Sequence, residues 1–224
     1  MWEFDRTAAD QYPLLLNFPY FDLYRKQVVK QADLVLAMQL RPDAFTAEQK
    51  ARNFAYYEAL TVRDSSLSAC VQAVLAAEVG QLDLAEDYLA EAAMMDLDDL
   101  EHNTRSGLHL ASLAGVWTAL VAGYGGMRHT EDGLRFSPRL PPGLTRLAFG
   151  VLLNGRTLRV EVTHMHARYS ITSGEPVRFT HHGEPVVVSA AESVSLRIPE
   201  SAPVGARPTQ PAGREPRRAH PTAE

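Results

Sequence analysis

The sequence predicts a mainly α-helical chain that ends in a small antiparallel β unit, and three observations support this fold class. Apolar residues recur with helical spacing up to about Gly126. From about Leu134 to Pro199, apolar and polar residues alternate as they do in half-buried strands. The dipeptide Asn154-Gly155 lies inside this alternating region, and it is the strongest short signal for a tight hairpin.

The helical part is expected to hold about five helices. The first covers residues 23–40 and ends before Pro42. Thr46 and Gln49 have the spacing of a capping box, which predicts the start of the second helix. The other three are expected at about residues 66–79, 82–95 and 108–120, and Gly80 suits the position just after the third helix.

The alternating part predicts about five to seven short strands. Asn154-Gly155 is expected to form a type I′ turn between residues 151–153 and 156–158. Ser173-Gly174 and His182-Gly183 predict two further turns. A unit of this kind is a small antiparallel β-sandwich.

We therefore divide the chain into a helical domain over residues 1–128, a β domain over residues 129–199 and a tail over residues 200–224. The tail is rich in proline and arginine and has few large apolar side chains. Such a segment buries too little surface to offset the entropy of ordering it, so we expect it to be disordered.

Composition narrows the class of protein. The 224 residues are 46% hydrophobic, which is sufficient for a real core, and the net charge of −5 argues against a nucleic-acid partner. No apolar run is long enough to span a bilayer, so no membrane partner is expected. Cys70 is the single cysteine, and the N-terminus lacks the apolar region of a signal peptide. A reducing, cytoplasmic setting is therefore expected.

Two predicted helix starts carry residues that suit anion binding. Asp64, Ser65 and Ser66 precede the third helix, where free amides and hydroxyls form a natural phosphate site. The alternative is that one of them only caps the helix. His109 begins the fifth helix and could donate to an anion held there. The alternative is a hydrogen-bonded, partly buried histidine.

Other polar residues leave two interpretations open. Lys30 and Gln31, within the first predicted helix, could hydrogen-bond sugar hydroxyls, or the lysine could extend to solvent from an amphipathic helix. An acidic loop could hold an acid/base pair, but a solvated loop with a cap is the preferred interpretation. His164 and His166 share one face of a predicted strand without a completing ligand, so no metal site is assigned. The loop carboxylates are Asp96, Asp98, Asp99 and Glu101.

Taken together, several motifs in order resemble the C-terminal part of glycoside hydrolase family 65, which contains inverting phosphorylases of maltose, trehalose and kojibiose and some hydrolases. The resemblance runs from about residue 13 to residue 199 and leaves the tail outside. The motifs are Tyr20-Phe21-Asp22-Leu23-Tyr24, Gln27-Val28-Val29-Lys30-Gln31-Ala32-Asp33, Tyr56-Tyr57-Glu58, Asp64-Ser65-Ser66-Leu67-Ser68, Met95-Asp96-Leu97-Asp98-Asp99, Asn103-Thr104, Gly107-Leu108-His109, Ala114-Gly115 and Gly125-Gly126-Met127-Arg128.

The resemblance implies part of an (α/α)₆ barrel, followed by the small β domain. It implies that Lys30 and Gln31 contact the non-reducing glucose, and that Ser65, Ser66 and His109 hold the phosphate nucleophile. It implies no cofactor, since inorganic phosphate is a co-substrate beside the disaccharide. The family's chains are several times longer, so the missing N-terminal part of the enzyme is an expected partner.

The motif of the family's general-acid glutamate is absent, so no catalytic residue is assigned and the chain alone is expected to be inactive. Our reading is the C-terminal part of an inverting α-glucoside phosphorylase that releases β-glucose 1-phosphate. A trehalase-like hydrolase of the same family is one alternative, although the retained Ser65, Ser66 and His109 favour the phosphorylase. A non-catalytic truncated fragment or partner module is the other.

Overall fold

The computed structural model describes residues 1–200 and 204–216, and the first half of the chain is helical. The last α-helix among these residues continues directly into a π-helical segment, Ala119–Tyr124. No helix of the described residues is long and apolar enough to cross a membrane. The α-helices found among these residues are α1 (Leu14–Asn17), α2 (Tyr20–Leu23), α3 (Asp33–Leu40), α4 (Ala47–Glu58), α5 (Ser68–Glu78), α6 (Leu82–Met94) and α7 (Leu110–Thr118).

The sequence predicts one long first helix over residues 23–40, and this prediction is wrong for residues 24–32. This stretch is non-helical and forms a parallel bridge between Val29 and Thr61. The Val29 amide donates to the Leu60 carbonyl at 2.9 Å, and the Val62 amide donates to the Val29 carbonyl at 2.9 Å. Valine favours extended backbone, and this pairing outweighs the helical spacing of the apolar residues.

The second helix begins as predicted. The Gln49 amide donates to Thr46 Oγ1 at 3.2 Å, and the Thr46 amide donates to Gln49 Oε1 at 2.8 Å, which confirms the capping box. The third predicted helix is α5, which is followed by Gly80 at φ +86°, a left-handed conformation that favours glycine. Nine of the 11 residues of α5 are buried, so this helix lies at the centre of the helical domain.

Helices α5 and α7 run in the same direction and are in close contact. A Cβ atom on Gly115 of α7 would lie 2.4 Å from the Cys70 Sγ atom, so only glycine fits there. One on Gly123, in the π-helical segment, would lie 3.4 Å from the Cα of Val74 and 3.7 Å from the Cβ of Ala77. Later residues of α7 and its extension therefore lie against later residues of α5. The two helices are parallel and begin at the same end of the domain.

The β domain contains two four-stranded sheets, ordered β1-β2-β6-β7 and β3-β4-β5-β8. Neighbouring strands are antiparallel, except that β2 pairs with β6 in parallel. Among the described residues the strand count slightly exceeds the predicted range. The strands are β1 (Arg128–Thr130), β2 (Gly133–Phe136), β3 (Leu147–Leu153), β4 (Arg156–Val162), β5 (His166–Ile171), β6 (Val177–His181), β7 (Glu184–Val188) and β8 (Val194–Arg197).

Two predicted turns are confirmed as tight hairpins. Asn154 and Gly155 have φ of 48° and 77°, between the paired residues Leu153 and Arg156. Positive φ at both central positions identifies a type I′ turn. His182 and Gly183 have φ of 48° and 90° between β6 and β7. Phe136, Tyr169 and Phe179 form a cluster of rings, with centroid separations between 4.6 and 5.4 Å.

An ion-pair group links the end of α5 to the β domain. Glu78 accepts hydrogen bonds from the Lys50 ammonium at 2.6 Å and from Arg128 Nη2 at 2.5 Å. Arg139 Nη1 donates to the Glu78 backbone carbonyl at 3.1 Å. Burial by itself would raise the pKa of Glu78, but the charges of Arg128 and Lys50 outweigh it and hold this pKa below its ordinary value.

The sequence predicts a disordered tail, and this prediction is wrong for residues 204–216. This segment lies along the helical domain, where Arg207 contacts Asp87 at 2.6 Å, Gln210 contacts Glu58 at 2.8 Å and Arg214 contacts Asp64 at 2.9 Å. Its low apolar content was the basis of the prediction, but its order comes from polar contacts to buried carboxylates. Residues 201–203 and 217–224 of the predicted tail lie outside the described residues.

Candidate anion and sugar site

The turn before α5, residues 62–66, is held by contacts on both sides. Arg63 has φ +56°, an uncommon left-handed conformation for a residue with a Cβ atom. The Asp64 amide donates to the Lys30 carbonyl at 3.0 Å. The Asp64 carboxylate accepts from the Leu14 amide at 2.8 Å and from Arg214 Nη2 at 2.9 Å. Ser65 and Ser66 follow directly, so this network sets where their hydroxyls lie.

Asp64 holds chain segments together and does not cap α5. Its side chain is only 1% exposed. Burial raises the pKa of this carboxyl, although the Leu14 amide and the Arg214 charge oppose the shift. The N-cap position of α5 is Leu67, which makes no side-chain cap. Ser65 Oγ accepts from the Leu67 amide at 3.3 Å, so the capping alternative holds only for Ser65, and only over a weak contact.

His109 occupies the N-cap position of α7 and is fixed by Asp96. The His109 Nδ1 atom lies 2.6 Å from Asp96 Oδ1, and the His109 amide donates to Asp96 Oδ2 at 3.0 Å. Because the carboxylate accepts, we assign a proton to Nδ1. The hydrogen bond from His109 holds the pKa of Asp96 below its ordinary value. The ring orientation is thereby set, and Nε2 is the atom left for a ligand.

The structure brings the two helix starts to one end of the helical domain. Since α5 and α7 are parallel and pair Cys70 with Gly115, Ser66 and His109 each lie a few residues beyond that contact in the same direction. Six residues of helix correspond to about 9 Å, so His109 projects about that far beyond Gly115. Hydroxyls, an imidazole and the amide ends of two helices therefore share one end.

Lys30 lies beside this turn, in the non-helical segment that pairs with residues 60–62. It lines a cavity of about 280 Å³ together with Asp64, and its charge opposes the rise in the pKa of that carboxyl. The rest of the lining consists of aliphatic side chains and the tyrosines Tyr20 and Tyr24. The side-chain amide of Gln31 donates to Asp33 Oδ1 at 2.8 Å, at the start of α3. The structure thus brings Lys30 to the anion turn, while Gln31 contacts the next helix.

Two contacts of the acidic loop support its interpretation as a loop whose carboxylates bind nearby backbone and side-chain groups. Asp96 holds His109, and Asp99 Oδ1 accepts from the Thr104 amide at 3.0 Å. Among the described residues, no three His, Cys, Asp or Glu side chains come together as a metal site. His166 begins β5 and His164 lies in the bend before it.

Sequence reasoning missed a buried polar group beneath the tail. Glu58 is fully buried and accepts from Gln72 Nε2 at 2.5 Å, from the Tyr88 hydroxyl at 2.5 Å and from Gln210 Nε2 at 2.8 Å. Burial raises its pKa, and the three donors oppose that rise. The four-residue spacing of Lys50, Phe54 and Glu58 puts all three on one buried face of α4, and this was the available signal.

Comparison with known families assigns the two parts of the chain to one family. Residues 1–118 match the family described as "Glycosyl hydrolase family 65 central catalytic domain". Residues 127–188 match "Glycosyl hydrolase family 65, C-terminal domain". The gap between the two matches contains the π-helical segment, Ala119–Tyr124, and the second match begins just before β1.

Several curated proteins are similar to this chain. An uncharacterized glycosyl hydrolase of Mycobacterium leprae (strain TN) is 50% identical over 216 residues, covering 96% of this chain and 27% of that protein. The α,α-trehalose phosphorylase of Thermoanaerobacter brockii is 39% identical over 188 residues (84% and 24%). The maltose phosphorylase of Bacillus subtilis (strain 168) is 38% identical over 184 residues (82% and 24%). The chain spans about a quarter of the length of these relatives.

A solved structure shares the fold. It is a protein from the human microbiome that is provisionally named a kojibiose phosphorylase, with a TM-score of 0.79 and 24% sequence identity. The match covers 88% of this chain and 27% of that protein. The order of helices followed by two sheets is therefore a known arrangement.

Proposed function

The chain belongs to glycoside hydrolase family 65, and from that premise we propose that it forms the C-terminal part of a disaccharide phosphorylase. In the proposed reaction, inorganic phosphate attacks the anomeric carbon of an α-glucoside from the face opposite the leaving sugar. The bond to the leaving oxygen breaks as the bond to phosphate forms, so the configuration inverts and the product is β-glucose 1-phosphate. A general acid from outside this chain protonates the leaving oxygen.

The observation that carries the proposal is the shared end of α5 and α7. Both helices are long enough to present a positive dipole end and free amides, which favour a bound anion. Ser65 and Ser66 add hydroxyl donors, and His109 adds an imidazole whose orientation is fixed by Asp96. This combination suits a phosphate ion that must be held in line for attack.

Each residue has a distinct role in this proposal. Phosphate is already an anion, so it needs positioning and charge compensation but no general base. Ser65 and Ser66 supply hydroxyl donors, and His109 supplies charge and a donor at Nε2 as the imidazolium, with Nδ1 donating to Asp96. Lys30 donates to the hydroxyls of the non-reducing glucose from the cavity beside Asp64, and Gln31 contacts the same sugar. The disaccharide itself is not specified by these residues.

A hydrolase is the second candidate, because the Mycobacterium leprae relative is named a glycosyl hydrolase. An inverting hydrolase needs a carboxylate free to activate water. Near the two helix starts, the Asp64 carboxylate is 1% exposed and bonded to Leu14 and Arg214, while Asp96 is bonded to His109. Both carboxylates are held by protein partners, which favours phosphate over water as the nucleophile.

Titration of the chain with inorganic phosphate by isothermal calorimetry tests the proposal. The double variant Ser65→Ala/Ser66→Ala is expected to bind phosphate at least about tenfold more weakly, because two hydrogen bonds to a charged group are lost. His109→Ala is expected to lower the affinity similarly, whereas Lys30→Ala is expected to impair glucose binding.

Thr46→Ala is the matched control, because Thr46 caps α4 away from the site. It is expected to lower the melting temperature and leave phosphate affinity unchanged. Should the double serine variant behave in the same way, the serines are structural and the phosphorylase assignment loses its main residues. Replacing the matching part of the Thermoanaerobacter brockii phosphorylase with residues 1–199 of this chain then tests catalysis, since phosphorolysis by the chimera requires a working site.

A further inference from the structure

The described part of the tail forms a strap, residues 204–216, along the helical domain. Near its start, Gln81 Nε2 donates to the Gly205 carbonyl at 3.0 Å, just after α5 ends. Arg207 then pairs with Asp87, and Gln210 reaches the buried Glu58. Arg214 pairs with Asp64, just before α5 begins. The strap therefore spans the whole length of the central helix and ends at the anion turn.

Arg214 makes a concentrated set of contacts with that turn. Its Nε donates to the Val62 carbonyl at 2.6 Å, and its Nη2 donates to Asp64 Oδ1 at 2.9 Å. Its backbone carbonyl accepts from Arg63 Nε at 3.0 Å. Its guanidinium carbon lies 4.7 Å from the centre of the Tyr12 ring. Three consecutive residues before Ser65 are thus each bonded to one strap residue.

The turn needs such support because of its backbone. Arg63 is in the left-handed region at φ +56°, which is unfavourable for a residue with a Cβ atom. Its guanidinium is 7% exposed, pairs with Glu91 at 2.5 Å and also donates to Arg214. A strained backbone persists only where its surroundings hold it. The strap supplies part of that hold from outside the helices.

The comparisons bear on the strap as well. The match to the Mycobacterium leprae relative covers 96% of this chain, so it extends at least as far as Arg214 wherever the uncovered residues lie. The matches to the trehalose and maltose phosphorylases cover 84% and 82% of the chain. The match to the mycobacterial protein therefore includes residues of the strap, and the phosphorylase matches do not require them.

We propose that the strap positions the anion turn, with Arg214 as its positioning residue. This proposal rests on the proposed function, because the turn carries Ser65 and Ser66. Arg214 neutralises Asp64 and anchors Val62, and this keeps the serine hydroxyls directed to one place. The planar guanidinium makes both contacts at once, which a lysine ammonium cannot reproduce. Arg214 acts through the turn and does not itself bind the anion.

The test compares Arg214→Ala with Arg207→Ala. Both variants remove one positive charge from the same strap, but Arg207 contacts Asp87 on α6, away from the turn. Arg214→Ala is expected to speed hydrogen exchange of the amides of residues 62–66 and to weaken phosphate binding about fivefold, the equivalent of one lost hydrogen bond. Arg207→Ala is expected to leave both unchanged. Arg214→Lys is expected to give intermediate values.

The outcomes separate the two proposals. Phosphate binding by the wild type with unchanged affinity and exchange in Arg214→Ala overturns the positioning role and leaves the proposed function standing. An equal loss in Arg207→Ala also overturns it, because the strap would then be a general stabiliser. A wild type that binds no phosphate refutes the proposed function, and the exchange rates of the turn still decide the role of Arg214. If Arg214→Ala fails to fold, Arg214→Lys supplies the same comparison.

Discussion

Two buried tyrosines offer a sharp test of the polar group around Glu58. The residues Tyr88 and Tyr124 are 0% and 2% exposed. The Tyr88 hydroxyl donates to Glu58 Oε2 at 2.5 Å. The Tyr124 hydroxyl has no hydrogen-bond partner among the described residues. The substitutions Tyr88→Phe and Tyr124→Phe therefore each remove one hydroxyl from a buried site. The hydroxyl is hydrogen-bonded at Tyr88 and has no hydrogen-bond partner among the described residues at Tyr124.

The expected free energies of unfolding differ accordingly. A hydrogen bond to an ionised group contributes about 1.5–3 kcal/mol, so Tyr88→Phe should lower the stability by about that amount. For a domain of this size each kcal/mol shifts the melting temperature by about 2–4 °C, which predicts a fall of about 3–12 °C. Tyr124→Phe removes an unsatisfied buried hydroxyl, so it should be neutral or stabilising.

The cost of Tyr88→Phe should also depend on pH. Burial, opposed by the bonds from Gln210, Tyr88 and Gln72, raises the pKa of Glu58 in the folded chain. Loss of the Tyr88 donor disfavours the charged carboxylate and raises that pKa further. The folded variant then binds more protons than the folded wild type, so its penalty should grow as the pH rises and shrink as the pH falls.

Urea unfolding monitored by circular dichroism at several pH values measures the cost of each substitution and the pH dependence of the cost of Tyr88→Phe. Two results would refute this account of the buried group. One is an equal cost for both substitutions, which would mean that the hydroxyls contribute by packing alone. The other is a cost of Tyr88→Phe that does not change with pH, which would mean that Glu58 keeps one protonation state over the range.

Three further predictions concern the β domain and its junction. Glu78→Gln should cost about 2–4 kcal/mol in urea unfolding, because it leaves two buried cations without a carboxylate; a cost below 1 kcal/mol would contradict this. Asn154→Ala should cost about 1 kcal/mol at its positive φ, whereas Asn154→Gly should not, and equal effects would argue against backbone strain as the cause. Burial, with smaller contributions from His181 and Arg139, lowers the pKa of His182 to about 4. The unfolded chain therefore binds the proton first, and wild-type stability should fall as the pH drops from about 6.5 towards 4, a fall that His182→Asn should reduce.

The features predicted correctly from the sequence depend on residues close together in the chain. The capping box needs only Thr46 and Gln49, and the hairpin needs only Asn154-Gly155, so short motifs identify both. The helical and β parts were recognised because their periodicities differ. The presence of His109 at a helix start was also predictable, since Gly107 and the apolar spacing after it mark where α7 begins.

The errors concern residues whose partners are distant in the sequence. Residues 24–32 have helical spacing, but Val29 pairs with Thr61 and the backbone becomes extended. The strap has a disordered composition, but its order depends on Asp64, Asp87 and Glu58, more than 100 residues away. No local pattern reveals such partners, since a single sequence carries no information on which distant polar groups meet.

The Asp64 carboxylate has a consequence for the order in which the chain assembles. It joins a partner 50 residues upstream, Leu14, and one 150 residues downstream, Arg214. Closing the longer loop costs about 1 kcal/mol more in chain entropy than closing the shorter one, so the Leu14 contact should form first. Synthesis runs in the same order, because the ribosome adds Arg214 long after the serines have emerged. A nascent chain therefore carries the complete anion turn before it carries the residue that secures it, and the turn matures only after Arg214 has been added.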